Sequence, residues 1–217
     1  MDFSLNGVEP LYVAGALIVS YFLGTFPSAL IVAKRGGVDV TSEGSRNPGT
    51  SNVVRLLGWK YGLVVFVADV LKGSAAVRIA YYLTHQYGDN LNVSYLAYAC
   101  AYAAVIGHTF PVTRGFHGGK GVATGGGTMF VLYPLMSLVL CLSWFVLRKL
   151  TGKSAIASLI ITIAVPVYVV ATVGFGQLTH GRYWLCLASL DSSSFVTCQI
   201  FAVSVHTKNL LLKHLLN

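Results

Sequence analysis

Apolar residues run in long blocks separated by short polar stretches. Leu11–Ala33, Tyr61–Thr84, Val93–Val112, Ser154–Phe175 and Tyr183–Val205 each reach the roughly 20 mostly apolar residues that a helix needs to cross a bilayer. The block Gly121–Leu147 is longer. As one tilted helix it would place Arg148, Lys149 and Lys153 on the side opposite Arg114 and Lys120. As a hairpin turning near Tyr133–Pro134 it gathers the basic loop residues on one side, except Arg182. The excess of Lys and Arg in cytoplasmic loops favours the hairpin. Its arms, about 13 residues each, span only roughly 20 Å as helix, so they need neighbouring helices or a locally thinned bilayer. The pattern predicts an all-α integral membrane fold of about seven transmembrane helices, some short. It forms one polytopic domain over 1–217, with the N-terminus outside and the C-terminus cytoplasmic.

Composition supports this reading. The chain is 55% hydrophobic and 10% charged, against about 25% charged residues in soluble domains. The net charge of +8 does not point to nucleic acid, because the basic residues sit in short loops between apolar blocks. There they set orientation and attract anionic headgroups. A cleavable signal opens with a basic region; here Asp2 and Glu9 precede the first block and Lys34 is the first basic residue, so the first helix is expected to be retained. Cys100, Cys141, Cys186 and Cys198 lie in apolar blocks without a C-x-x-C pair and read as small core residues.

With this orientation three unusual segments share the cytoplasmic face: Gly44–Arg55, Arg114–Gly121 and His206–Asn209. In the first, Gly44-Ser45-Arg46-Asn47-Pro48-Gly49-Thr50-Ser51-Asn52 is polar and glycine-containing, the composition of an anion-binding nest. Thr50–Asn52 is placed to cap a short helix carrying Arg55 one turn later, and such a start offers free N–H groups to phosphate. An ordinary polar loop capping the second span is the alternative. In the second, glycines surround Lys120 in Gly118-Gly119-Lys120-Gly121, after Gly107-His108-Thr109-Phe110-Pro111. This is not a phosphate-binding P-loop, since Arg114 and Gly121 stand where that motif needs glycine and Ser or Thr. Gly152-Lys153-Ser154 fails likewise, at Leu147. A fourth segment lies inside the second span: Asp69 and Lys72, three apart on one helix face, can pair. Charges within a span commonly mark function, and a purely structural ion pair is the other reading.

Together the four segments resemble a known family, the bacterial acylphosphate:glycerol-3-phosphate acyltransferases. Gly44–Asn52 with Arg55 is similar to their glycine-serine-x-asparagine loop. Asp69–Gly73 is similar to D-x-x-K-G, Gly107–Pro111 with Gly118–Gly121 to G-H…G-G-K-G, and His206–Asn209 to a terminal H-x-x-N. Order and spacing agree over nearly the whole chain. The sequence departs from the pattern at Arg46, usually glycine, at Pro48, commonly aliphatic, and at Val205, usually arginine.

The resemblance implies acyl transfer from acyl phosphate to the 1-hydroxyl of glycerol 3-phosphate, giving lysophosphatidic acid and inorganic phosphate. The site would face the cytoplasm from a bacterial inner membrane. It implies that Ser45, Arg55, Lys120, His206 and Asn209 bind glycerol 3-phosphate, and Asn47 and Asn52 of the same loop are expected to bind substrate with them. Gly118, Gly119 and Gly121 are candidates for the acyl-phosphate group. Lys120, Arg55, Ser45 and His108 form the candidate catalytic set, His108 having the alternative of a satisfied structural histidine. Asp69 and Lys72 are expected to support it as an ion pair. No histidine is followed by Asp five residues later, so the H-x-x-x-x-D base of other phospholipid acyltransferases is missing. Acyl phosphate is already activated; positioning, cationic stabilisation of the leaving phosphate and a substrate phosphate acting as base are expected to suffice. No cofactor and no metal are expected. The rival classes, a small anion transporter and a purely structural membrane subunit, leave the clustered glycine-rich basic loops unexplained.

Overall fold

The computed structural model describes residues 10–87, 95–153, 156–161 and 163. Among them are seven α-helices: α1 (Pro10–Thr25), α2 (Ser28–Arg35), α3 (Thr50–Leu57), α4 (Trp59–Tyr87), α5 (Tyr95–Thr109), α6 (Val122–Leu132) and α7 (Pro134–Thr151). A 3-10 turn, Val112–Arg114, joins α5 to α6. These seven are not the seven expected spans. The first five spans correspond to α1 with α2, then α4, α5, α6 and α7. Most of the last two expected spans, both termini, His206 and Asn209 lie outside the described residues.

Proline decides where helices begin. Pro134 opens α7, a position where its missing N–H costs no bond, and it disfavours helical geometry at the preceding residue. The block Gly121–Leu147 is accordingly two helices, α6 ending at Leu132. The first span differs from the expected continuous helix: it breaks at Phe26–Pro27, because Pro27 cannot donate to the helix ladder. The start of α3 also differs in detail. Gly49 occupies its cap position with no side-chain cap bond, so Thr50–Asn52 belong to the helix itself.

The chain divides into two compact units, the first ending at Ser137 and the second starting at Leu138. In the first unit, α1 packs on α5 and α4 packs on α6, both through small residues. At Gly24 a Cβ would strike the Ala104 carbonyl, and at Gly107 the Tyr21 carbonyl. At Gly73 it would strike the Thr124 carbonyl, and at Gly127 that of Val70. Backbones approach this closely where hydrocarbon gives no hydrophobic drive and van der Waals packing must hold helices together. Ser74 Oγ donates to the Gly127 carbonyl at 2.9 Å and fixes the second crossing. The outer faces are apolar: Leu11, Ile18, Val19 and Phe22 on α1, and Leu63, Val64, Val67 and Leu71 on α4, are exposed. In water these would form large sticky patches; in lipid they are the matched surface. A small separate core of Ala29, Ala33, Val40, Val53 and Val65 pins α2, the following loop and α3 onto α4.

In the second unit, Trp144 Nε1 donates to Ser158 Oγ at 3.0 Å, and the Arg148 guanidinium lies 5.6 Å from the Trp144 ring centre.

Candidate active site

The break between α1 and α2 leaves carbonyls without helical partners, and cations take them. Lys72 Nζ donates to the Phe26 carbonyl at 3.1 Å, and an Arg114 terminal nitrogen lies 3.4 Å from that of Thr25. Lys72 also pairs with Asp69 Oδ1 at 2.8 Å, as the i, i+3 spacing predicts. Ser28 Oγ donates to the same oxygen at 2.6 Å, and His108 Nδ1 lies 2.9 Å from Lys72 Nζ. Ser28, Asp69, Lys72 and His108 are all buried. Removing either charge from such a pair leaves the other stranded, at a cost of about 3–5 kcal/mol. The i, i+3 spacing gives the ion pair but not Ser28 or the Phe26 carbonyl. Pro27 within an apolar block was the available signal.

His108 leads to the glycine-rich loop. The Gly119 N–H donates to the His108 carbonyl at 3.1 Å. Gly118 sits against the carbonyls of His108 and Thr109 with no room for a Cβ. At Gly119 a Cβ would run into His108 Nε2, 2.9 Å from Cε1 and 3.1 Å from the Pro48 carbonyl. The loop is steadied from α1. Tyr21 Oη donates to the Phe110 carbonyl at 2.8 Å and accepts from Val112 N–H at 2.9 Å, bracketing Pro111. Gly121 has φ +75°, the left-handed conformation that favours glycine. Its carbonyl accepts the Gly125 N–H at 2.8 Å and begins α6. Lys120 is therefore exposed immediately ahead of a helix N-terminus.

The first loop is organised by Asn52, which is 1% exposed. Its Oδ1 accepts the Ser45 N–H at 2.8 Å, and its Nδ2 donates to the carbonyls of Val40 and Glu43 at 3.1 and 3.0 Å. With these bonds made, Asn52 shapes the loop from inside rather than presenting its amide outward, unlike the exposed Ser45 and Arg55. A Cβ at Gly44 would collide with Asn52 Oδ1. Arg46 has φ +57°, which accounts for glycine being usual at that position. Upstream, Asp39 accepts Thr41 N–H, Thr41 Oγ1 and Ser42 Oγ at 2.9, 2.6 and 2.9 Å. These donors hold its carboxyl below the ordinary carboxylate value. Asn47 is half-buried, its Nδ2 3.0 Å from where a Gly49 Cβ would lie.

The two loops thus meet where the Pro48 carbonyl faces Gly119. Two residues beyond Pro48 α3 begins, with Arg55 in its second turn; three residues beyond Gly119 α6 begins, with Lys120 just ahead of it. Helix N-termini carry free N–H groups and a positive partial charge, so the arrangement suits phosphate. The described residues contain no cluster of three or more His, Cys, Asp or Glu that would hold a metal.

A family model described as glycerol-3-phosphate acyltransferase matches residues 14–214. The chain belongs to the glycerol-3-phosphate acyltransferase family. Similar members include the glycerol-3-phosphate acyltransferase of Clostridioides difficile, 45% identical over 132 residues, covering 60% of this chain and 63% of that protein. That of Chlorobaculum tepidum is 31% identical over 200 residues, covering 87% of this chain and 86% of that protein. The crystal structure of PlsY (YgiH), an integral membrane glycerol 3-phosphate acyltransferase, in its glycerol 3-phosphate form is similar at TM-score 0.66 and 31% identity. That likeness covers 93% of this chain and 92% of the other. Its lysophosphatidic acid form gives 0.62 and 29% over the same shares. The acyltransferase resemblance drawn from the motifs is thereby borne out. The membrane character read from the apolar blocks also agrees with these relatives.

Proposed function

We propose that this protein transfers a fatty acyl group from acyl phosphate to the 1-hydroxyl of glycerol 3-phosphate, starting phospholipid synthesis at the cytoplasmic face of a bacterial inner membrane. The observation that carries this reading is the meeting of the two glycine-rich loops at Pro48 and Gly119, each leading into a helix N-terminus, with exposed Lys120 just ahead of α6 and exposed Arg55 in the last turn of α3. Donor and acceptor both carry phosphate; backbone amides and Lys120 lie at this junction, and Arg55 further along α3 offers a second cation for the two anions. Acidic groups at the same place would repel both.

Ser45, Asn47, Arg55 and Lys120 contact glycerol 3-phosphate, together with His206 and Asn209. Gly118, Gly119 and Gly121 let the backbone close on the acyl phosphate, and His108 stands beside them. Asn52 acts by holding Ser45 in place. The acyl tail lies among apolar helices, and the polar acceptor arrives from water. The hydroxyl attacks the acyl carbonyl, the carbonyl–phosphate oxygen bond breaks, and the proton passes to a phosphate oxygen. The phosphate of acyl phosphate is a good leaving group, so orientation and cationic stabilisation of the departing charge supply the acceleration. That a PlsY protein was crystallised in glycerol 3-phosphate and lysophosphatidic acid forms supports this assignment of acceptor and product.

The test is a donor panel. Protein in lipid is given glycerol 3-phosphate with acyl phosphate, acyl-CoA or acyl carrier protein, and lysophosphatidic acid is measured. Product from acyl phosphate alone is expected. Preference for acyl-CoA would overturn the donor, and no product from any donor would overturn the enzyme.

A further inference from the structure

We propose that Asp69 and Lys72 are positioning residues that act through His108, fixing its ring with the proton on Nε2, and that this N–H donates a hydrogen bond to an oxygen of the acyl-phosphate group where Pro48 meets Gly119. The substrate contact rests on the acyltransferase reading above; the tautomer does not.

The tautomer follows from counting donors. An ammonium has three N–H groups and no lone pair. Lys72 Nζ has three acceptors around it: Asp69 Oδ1 at 2.8 Å, the Phe26 carbonyl at 3.1 Å and His108 Nδ1 at 2.9 Å. Asp69 Oδ1 also takes the Ser28 hydroxyl at 2.6 Å, the pattern of an ionised, acceptor-only carboxylate. With Lys72 charged, Nδ1 offers a lone pair to it, and the imidazole proton resides on Nε2. A doubly protonated ring would set N–H against N–H across 2.9 Å. The bond at one ring nitrogen thereby dictates what the other presents.

Nε2 is aimed at the junction of the loops. The edge bearing Nε2 and Cε1 fills the space where a Gly119 side chain would begin, beside the Pro48 carbonyl. The histidine cannot drift from the loop, because its own carbonyl holds the Gly119 N–H. Among the described residues, no hydrogen bond uses Nε2. The chain Ser28–Asp69–Lys72–His108 therefore ends in an oriented donor, open at Nε2, at the place assigned to a phosphate-bearing substrate. A donor fixed before the substrate arrives stabilises developing charge without reorganising.

Two substitutions separate this role from a packing role. His108→Gln puts an amide N–H near the Nε2 position, whereas His108→Asn puts its amide near Nδ1 and leaves the loop without the donor. Loss of a preorganised donor lowers kcat by about 10²–10³-fold. That loss is expected for His108→Asn, with KM for glycerol 3-phosphate little changed, and His108→Gln is expected within about tenfold of the parent by the same reasoning. A ring ¹⁵N spectrum of histidine-labelled protein, with His108→Gln identifying the signal, is expected to show the proton on Nε2 in the parent. Lys72→Met is expected to lose that fixed tautomer. The proposal is overturned by a parent ring protonated on Nδ1, by full activity in His108→Asn, or by equal losses in both variants with a raised KM. The parent tautomer needs no variant to be active, so it decides the matter even where a substitution impairs folding. A parent protein without acyl transfer would remove the acyltransferase reading and the substrate contact with it. An active parent with the wrong tautomer would remove this proposal alone.

Discussion

Replacing Gly119 with alanine tests the meeting of the two loops with a single methyl group. The new Cβ would overlap His108 Nε2 and lie 2.9 Å from Cε1 and 3.1 Å from the Pro48 carbonyl. None of these neighbours can retreat freely. The His108 ring is held at Nδ1 by Lys72, its carbonyl holds the Gly119 N–H, and Pro48 is buried backbone. Forcing one methyl group into a packed site costs about 1–3 kcal/mol. Each 1.36 kcal/mol is tenfold in rate, so a cost borne in the transition state lowers kcat/KM by roughly 5- to 150-fold. Gly126→Ala is the control. It lies within α6 with nothing inside 4 Å of the added Cβ, and gains about 0.8–1 kcal/mol of helix propensity. Steady-state phosphate release and thermal unfolding in lipid, measured on both variants, give the comparison. Gly119→Ala is expected to lose activity and Gly126→Ala to keep it. Activity within twofold of the parent in Gly119→Ala, with unchanged unfolding, would refute the close approach of Pro48 and Gly119.

Three further outcomes follow from the loops. Asn52→Ala orphans the Ser45 N–H and the carbonyls of Val40 and Glu43, and is expected to cost about 2–4 kcal/mol; a change in unfolding free energy below about 1 kcal/mol would contradict the role given to Asn52. Tyr21→Phe removes the bracket around Pro111, at an expected cost of about 1–2 kcal/mol and with faster amide exchange at Val112; unchanged exchange there would count against it. Arg46→Gly relieves a left-handed non-glycine residue, a gain of about 1–2 kcal/mol offset by about 0.5–1 kcal/mol of extra chain entropy. Unfolding is expected at the parent temperature or slightly above; a clear fall would show that the Arg46 side chain contributes more than its backbone costs.

Much of the fold was legible because hydrophobic blocks and prolines act locally. Pro134 marks the division of Gly121–Leu147, and the i, i+3 spacing of Asp69 and Lys72 implies their ion pair. Pro27 carried a signal of the same kind, but block length alone favoured an unbroken first helix. What stayed hidden depends on which polar groups meet across helices. Periodicity does not tell which carbonyls a helix break frees, so Phe26 and Thr25 could not be matched to Lys72 and Arg114. Nor does composition show that Asn52 points inward while Ser45 and Arg55 lie outside. Tyr21 is by sequence one more aromatic residue in an apolar run, and only its bonds to Phe110 and Val112 give it a task. The glycine signals did carry through: Gly118 and Gly119 are small because His108, Thr109 and Pro48 leave no space.

The central claim is that the loop carrying Arg55 and the loop carrying Lys120 form one anion site for acyl transfer. A double-mutant cycle tests it most directly: phosphate release from acyl phosphate, dependent on glycerol 3-phosphate, in Arg55→Ala, Lys120→Ala and the combined variant. Groups serving one transition state lose activity non-additively, so each single variant is expected to lose most of the activity and the double variant to be little worse than the weaker single one. Losses that multiply, as for distant independent sites, or release that persists in both single variants, would contradict a shared site.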